Sequence, residues 1–134
     1  MTRKFLALLA VLCMFVLAAI PAAAQDSTPS LTGVTWQWVG TVTAKDTTTV
    51  PDPAQYTVSF NEDGTLNLRA DCNVGGGTYT SADDRTISIT LGMMTLAMCP
   101  EGSLDTSFLQ QLSNAAVFFF QGGDLYIDQA MDSG

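Results

Sequence analysis

The chain has 134 residues, with 5 Lys and Arg, 13 Asp and Glu, 3 Cys and no His. This length allows one domain. Without histidine the chain cannot build a Ser-His-Asp or Cys-His catalytic set, or a metal site that needs imidazole. The formal net charge of −8 excludes nucleic acid from the expected partners, because phosphates are bound by Lys and Arg.

The first residues have the pattern of a secretory signal peptide. Arg3 and Lys4 precede an uncharged apolar run over residues 5–20, and a proline and three alanines follow, ending at Ala24. This order predicts cleavage after Ala24, so residues 1–24 are assigned to a signal peptide. The alternative is an uncleaved membrane anchor, but the run is shorter than the roughly 20 residues that span a bilayer.

Cleavage would leave a strongly acidic chain. Its basic residues would be Lys45, Arg69 and Arg85 against all 13 acidic residues, a net charge of −10. We expect a flexible lead-in over residues 25–30 and one domain over residues 31–134. The expected product is a monomer that is secreted or periplasmic, at the cell envelope, without a membrane span.

Cys72 and Cys99 are the two cysteines that remain after cleavage. In an exported protein an even pair predicts a disulfide. Closing this loop would stabilise the fold by roughly 3–4 kcal/mol in the chain-entropy model. Two buried free thiols and a reactive thiol are the alternatives, and the second lacks a Cys-x-x-Cys motif, a histidine and a basic neighbour.

Alternating segments predict that the domain is mostly β. The first predicted strand, residues 35–39, places Trp36 and Trp38 on one face. A polar loop follows over residues 44–53.

The clearest hairpin pairs residues 56–60 with residues 66–72 across a turn at 61–64. Both segments alternate between apolar and polar side chains, and the second would place Cys72 on the inward face. The glycine-rich residues 73–77 predict a loop at a sheet corner. A phosphate-binding loop is the alternative, but the Gly-Lys-Ser/Thr ending and a following helix are missing.

The remaining segments predict three strands and one helix. A strand is expected at residues 86–91, and a hairpin at residues 117–120 and 125–127. Residues 103–114 have apolar side chains every four positions, which predicts a helix with Ser103 as its capping residue. The methionines of residues 92–100 fit either a binding surface or core filling.

Several short motifs are spaced along most of the mature chain. They are Leu31 with Trp36, Phe60 with Asp63-Gly64, Asp71-Cys72-Asn73 with Gly77-x-Tyr79, Thr95-Leu96-Ala97-Met98-Cys99-Pro100, and Asp105-x-x-Phe108 with Leu112. Together they resemble the META domain, or HslJ-like, family. Asp71 stands where this family usually has glycine, and the chain ends at Gly134 where the family usually adds a strand, so we expect a domain without its last strand.

The resemblance implies an α+β, mostly β fold. The expected form is a strongly curved antiparallel sheet or open barrel with one packed helix, about residues 103–114. It also implies an envelope or secreted location, a link to stress tolerance and no catalytic residues. The fold is similar to that of secretion-pilot proteins, which hold lipid or apolar peptide.

Two functions follow as hypotheses. The first is an exported, non-enzymatic domain that acts at the envelope or in stress through contact with a protein. The second is a barrel-type binder of an apolar ligand or peptide. The residues proposed for such a ligand or contact surface are Trp36, Trp38, Met93, Met94, Phe118 and Phe120.

An enzyme and a calcium site are weaker interpretations. The acidic pairs Glu62-Asp63 and Asp83-Asp84 both fall at predicted turns, where acidic residues are common. Asp124, Asp128 and Asp132 lack the spacing and the bidentate glutamate of an EF-hand. We therefore predict no enzyme activity, no cofactor and no metal.

Overall fold

The computed structural model describes residues 28–130. The predicted signal peptide, most of the lead-in and the last four residues lie outside that range. The part of the lead-in that is described, residues 28–30, is irregular and exposed.

The described residues form nine strands and one α-helix, with a 3-10 turn at Pro53–Gln55. The strands are β1 (Thr35–Gln37), β2 (Gly40–Val42), β3 (Thr47–Thr49), β4 (Tyr56–Phe60), β5 (Thr65–Ala70), β6 (Asn73–Ser81), β7 (Ile87–Met94), β8 (Ala115–Gln121) and β9 (Asp124–Gln129), and the helix is α1 (Asp105–Ser113). The predicted α+β, mostly β class is confirmed.

Five strands form the main antiparallel sheet, in the order β1-β4-β5-β6-β7, and β2-β3 and β8-β9 form two separate hairpins. The sheet neither closes nor curls strongly within residues 28–130, so the expected curved sheet or barrel is corrected to an open sheet. The reason is that hairpin β8-β9 is linked to the start of β7 by a single bridge, between Thr86, which directly precedes β7, and Val117 of β8. Beside it, the Phe118 N–H donates to the Arg85 carbonyl at 2.9 Å, and the ladder stops there.

The core lies on the inward face of the β4-β5 hairpin, which confirms that predicted pair. Val58 lies opposite Leu68, and Phe60 lies opposite Leu66. All four side chains are buried, with Phe60 and Leu66 almost fully enclosed. Burying each such side chain contributes roughly 1.5–3 kcal/mol, which explains why this alternating segment fixes the register.

The helix predicted at about residues 103–114 is confirmed by α1. It packs over this core through Phe108 and Leu112, which are both buried. The predicted cap is wrong by one residue, because the N-cap residue is Leu104 and no side chain caps the helix. The Leu104 carbonyl accepts the Phe108 N–H at 2.9 Å, so the helical bonds begin there. Ser103 Oγ accepts only the Asp105 N–H, at 3.3 Å.

The glycine-rich run belongs to strand β6, so the predicted loop is wrong. A β-carbon on Gly76 would lie 2.7 Å from the Leu66 carbonyl oxygen, and one on Gly77 would collide with the Thr90 carbonyl. The glycines therefore allow β5 and β7 to approach β6 closely. The pairing of β6 with β7 shifts register between Gly75 and Gly77. The run of glycines lies at this irregularity in the ladder.

Cys72 lies outside the core, contrary to the predicted inward position. Strand β5 ends at the fully buried Ala70, and Asp71 then takes a left-handed conformation with φ 57°. This turn breaks the alternation before Cys72, whose side chain is exposed. Aspartate is one of the few non-glycine residues that adopt this conformation readily, which explains why Asp71 can replace the glycine expected there.

Candidate functional site

The strongest candidate is an apolar segment that the fold leaves exposed. Residues 93–99, here called the methionine segment, include the end of β7 and the irregular chain that follows. Met93, Leu96 and Met98 are 93%, 95% and 99% exposed. Side chains of this type are common in contact surfaces, and methionine adapts to partners of different shape.

The Asn73 amide holds the backbone of this segment. Its Oδ1 accepts the Ala97 N–H at 2.7 Å and the Thr95 hydroxyl at 3.0 Å, and its Nδ2 donates to the Ala97 carbonyl at 3.0 Å. Asn73 is only 5% exposed, so these bonds are protected from water.

Strand β6 provides a second attachment. The Thr95 N–H donates to the Val74 carbonyl at 2.9 Å, and the Val74 N–H donates to Thr95 Oγ1 at 2.9 Å. Val74 itself is 53% exposed, so it extends the apolar surface onto the neighbouring strand.

A disulfide between Cys72 and Cys99 closes the segment at its far end, and this confirms the predicted pairing of these two cysteines. The two Cα atoms are 5.5 Å apart. Asn73 Nδ2 lies 3.4 Å from Cys99 Sγ, so the amide and the disulfide form one cluster. The segment thus combines a fixed backbone with three side chains that contact almost nothing in the domain.

The six residues predicted for a ligand or contact surface divide between two environments. Only Met93 has an exposed side chain, and the other five are half-buried and pack against the core. Trp38 stacks on Phe108 with ring centroids 5.5 Å apart, and Trp36 lies 5.9 Å from Phe120. The Trp36 indole N–H also donates to the Leu31 carbonyl at 3.0 Å, which fixes its ring.

Sequence reasoning missed Asn73, Leu96 and Met98 as members of a site. Asn73 was assigned to a loop, and its partners are more than 20 positions away along the chain. A signal was nevertheless present, because the Cys72-Asn73 pair and the Thr95–Cys99 motif are the two parts of the family resemblance that meet here.

Two aspartates form tight polar turns. Asp63 Oδ1 accepts the Thr65 hydroxyl at 2.6 Å and the Thr65 N–H at 2.9 Å, and these bonds lower the pKa of Asp63. Asp84 Oδ1 accepts the hydroxyl and N–H of Thr86 at 2.7 and 3.0 Å, which lowers its pKa in the same way. One aspartate of each acidic pair, Asp63 or Asp84, therefore stabilises the turn at which the pair lies.

Tyr79 is the third residue whose pKa is shifted from its usual value. Burial raises its pKa, and the charges of Asp63 and Glu62 raise it further. Its hydroxyl donates to the Asn61 carbonyl at 2.8 Å, so the neutral form is the one that the structure uses.

Within residues 28–130, no three acidic, cysteine or histidine side chains converge as a metal site would require. The same part of the chain has no helix with the length and apolar character needed to cross a bilayer.

The model of the META domain family matches residues 29–133. The chain belongs to the META domain family, which is not a known family of enzymes, and the resemblance seen in the motifs is confirmed. No curated protein matches the chain at a significant level. Among solved structures, it is similar to a DUF4847 family protein from Bacteroides vulgatus, with 21% identity and a TM-score of 0.44. That match covers 57% of this chain and about half (52%) of the other protein.

Proposed function

We propose that this META domain protein is exported and acts at the cell envelope as a non-enzymatic contact domain that supports stress tolerance. The contact is made by the methionine segment with another protein. The observation that carries this proposal is the exposure of Met93, Leu96 and Met98, each above 90%, on a backbone fixed by Asn73 and a disulfide.

Burial of the methionine segment would supply a favourable free energy for contact with a protein. Burial of the three side chains against a partner would contribute roughly 5–9 kcal/mol in total. Association also has an entropic cost, which includes the ordering of flexible loops. Because the backbone of the segment is already held by hydrogen bonds, that part of the cost is small, and more of the apolar burial is available for binding.

The partner that fits this surface has an apolar patch bordered by basic side chains. The methionine segment carries no charge, but the chain that remains after the predicted cleavage has 3 basic and 13 acidic residues, a net charge of −10. Basic side chains around the apolar patch of the partner would be attracted to this acidic domain, which would speed association. Acidic proteins would be repelled and would not bind. Binding is therefore expected to slow at high salt without being abolished.

Export is supported by the signal pattern of residues 1–24 and by the disulfide. Disulfides persist in oxidising compartments and are rare in the cytosol. Cys72 is exposed, so thiol reductants would have access to the bridge. The stress-related role is supported by the family resemblance.

The test compares two surfaces on the same domain. Leu96→Ser/Met98→Ser removes two members of the methionine segment, and Val42→Ser removes an 81% exposed valine on β2 as the matched control. We expect tagged wild-type protein and Val42→Ser to bind the same envelope protein, with affinity reduced about tenfold or more in the double variant. Equal binding by the double variant, with an unchanged melting temperature, would contradict the proposal.

An apolar-ligand function is the second candidate, and one feature favours it. Phe118, Phe119 and Phe120 line a shallow depression with Thr28, Pro29 and Arg85. A fatty acid would match this combination of aromatic rings and one cation. Because Trp36 contacts Phe120, binding there should change the tryptophan fluorescence. A series of fatty acids that leaves the fluorescence unchanged would eliminate this candidate.

A further inference from the structure

Three methionines near the disulfide lie in two different environments. Met93 and Met98 are 93% and 99% exposed, whereas Met94 is half-buried and packs against the core. Met93 and Met94 are adjacent on strand β7, so alternation alone directs one side chain outward and the other inward.

Exposure determines how fast a methionine is oxidised. The thioether sulfur attacks one oxygen of a hydroperoxide, the O–O bond breaks, and that oxygen stays on the sulfur. With hydrogen peroxide, the second oxygen leaves as water after proton transfer. The sulfur loses two electrons and the peroxide gains them. The product, methionine sulfoxide, is polar, and methionine sulfoxide reductases restore the thioether.

We propose that Met93 and Met98 are reversible oxidation sites, and that their conversion to sulfoxides by a hydroperoxide turns off the contact made by the methionine segment. This inference rests on the proposed function for its consequence. Two of the three fully exposed apolar side chains would become polar, while Leu96 between them would not change. The contact surface would thereby lose most of its apolar area under oxidising stress.

Met93 and Met98 can be oxidised while the domain stays folded. Neither Met93 nor Met98 belongs to the core or packs against it. The bonds that hold the segment come from Asn73, from the backbone of Val74 and from the disulfide, and none of them involves a methionine side chain. Oxidation therefore changes the surface and leaves its support intact.

The first measurement is site-resolved oxidation of the purified mature protein. The protein is treated with hydrogen peroxide, and peptide mass mapping gives a rate for each methionine. We expect Met93 and Met98 to gain oxygen about tenfold faster than Met94. The melting temperature should stay within about 3 °C of that of the untreated protein. Oxidation of Met94 at the same rate, or loss of the folded state, would overturn the inference.

The second measurement follows the apolar character of the surface by retention on a phenyl-substituted matrix. We expect peroxide to shorten the retention of the wild type. Met93→Leu/Met98→Leu keeps the surface apolar and cannot be oxidised there, so peroxide should shorten its retention much less than that of the wild type. Met131 is present in both proteins, so its oxidation cancels in the comparison. An equal loss of retention in wild type and double variant would overturn the inference.

The partner-binding assay separates this inference from the function on which it rests. If untreated wild type binds the envelope protein and oxidised wild type binds it equally well, the switch is wrong and the contact function stands. If untreated wild type binds nothing, the contact function and the switch fail together. The oxidation rates and the phenyl retention would still establish or refute the two modification sites.

Discussion

Asn73 is the residue on which the candidate site depends most. One amide group satisfies two backbone groups of Ala97 and the hydroxyl of Thr95, and it does so while almost fully buried. A buried amide without partners would be costly, so this arrangement forms as a unit. Position 73 therefore couples the core to a segment whose side chains face solvent.

Replacement of Asn73 tests this dependence. Asn73→Ala leaves the N–H and the carbonyl of Ala97 without their partner, and we expect the free energy of unfolding to fall by about 2–3 kcal/mol. Asn67→Ala, on the exposed face of β5, is the control and should change it by less than about 0.5 kcal/mol. Urea denaturation measures both values. Equal effects of the two substitutions would show that the Asn73 amide has no special structural role.

Individual residues also differ in how far their roles could be predicted from the sequence. The pairing of Cys72 with Cys99 was predicted because these are the two cysteines that remain after the predicted signal cleavage. The role of Asn73 could not follow, because it depends on the register that brings position 73 next to position 97. The position of Cys72 was misjudged for a local reason, since the left-handed turn at Asp71 interrupts an otherwise regular alternation.

Among the secondary-structure elements, those with strongly periodic apolar side chains were predicted correctly. The element that was predicted from its glycine content was not. The β4-β5 hairpin and helix α1 were predictable because their apolar side chains repeat with periods of two and about four residues. Strand β6 was not, because three successive glycines usually mark a turn. Here they allow neighbouring backbones to approach closely, which is a tertiary requirement that a local reading of the sequence does not show.

The turns at Asp63 and Asp84 predict a pH dependence of stability. Their pKa values are lower in the folded state than the usual value of about 3.9. The stabilisation is therefore complete above about pH 4 and is lost as the pH falls through the lowered folded-state values. We expect Asp63→Asn/Asp84→Asn to reduce the fall in melting temperature that the wild type shows on acidification below about pH 4.

The control for this experiment removes two neighbouring charges. Glu62→Gln/Asp83→Asn changes the net charge equally but leaves the hydrogen bonds to Thr65 and Thr86 in place. Its pH profile should follow that of the wild type. If both double variants reduce the acid sensitivity equally, net charge and not the turn geometry would explain it.

At the scale of the whole molecule, the fold is an open five-stranded sheet with a helix over its core and two attached hairpins. The family resemblance predicted the α+β, mostly β fold class. Whether the sheet closes into a barrel depends on how hairpin β8-β9 pairs with β7, and no local sequence pattern specifies that pairing. The core accounts for most of the aromatic side chains that might have lined a cavity. Within residues 28–130, the large apolar side chains with the greatest exposure, Met93, Leu96 and Met98, belong to the methionine segment beside the disulfide.

The disulfide should carry a large share of the global stability. Cys72→Ser/Cys99→Ser is expected to lower the free energy of unfolding by about 3–4 kcal/mol, because the bridge constrains the unfolded chain. Dithiothreitol should destabilise the wild type by a similar amount and leave the double variant unchanged. Chemical denaturation with and without dithiothreitol gives these values. Equal stability of the wild type with and without reductant would mean that the bridge contributes little.

The most direct test of a contact through the methionine segment is photo-crosslinking in cells. A photoreactive amino acid is placed at position 96 in one protein and at position 42 in another, since Leu96 and Val42 are both exposed. Illumination should join the first protein to one dominant envelope protein and the second to none. Adducts of the same pattern from both positions, or no adduct from position 96, would contradict the account.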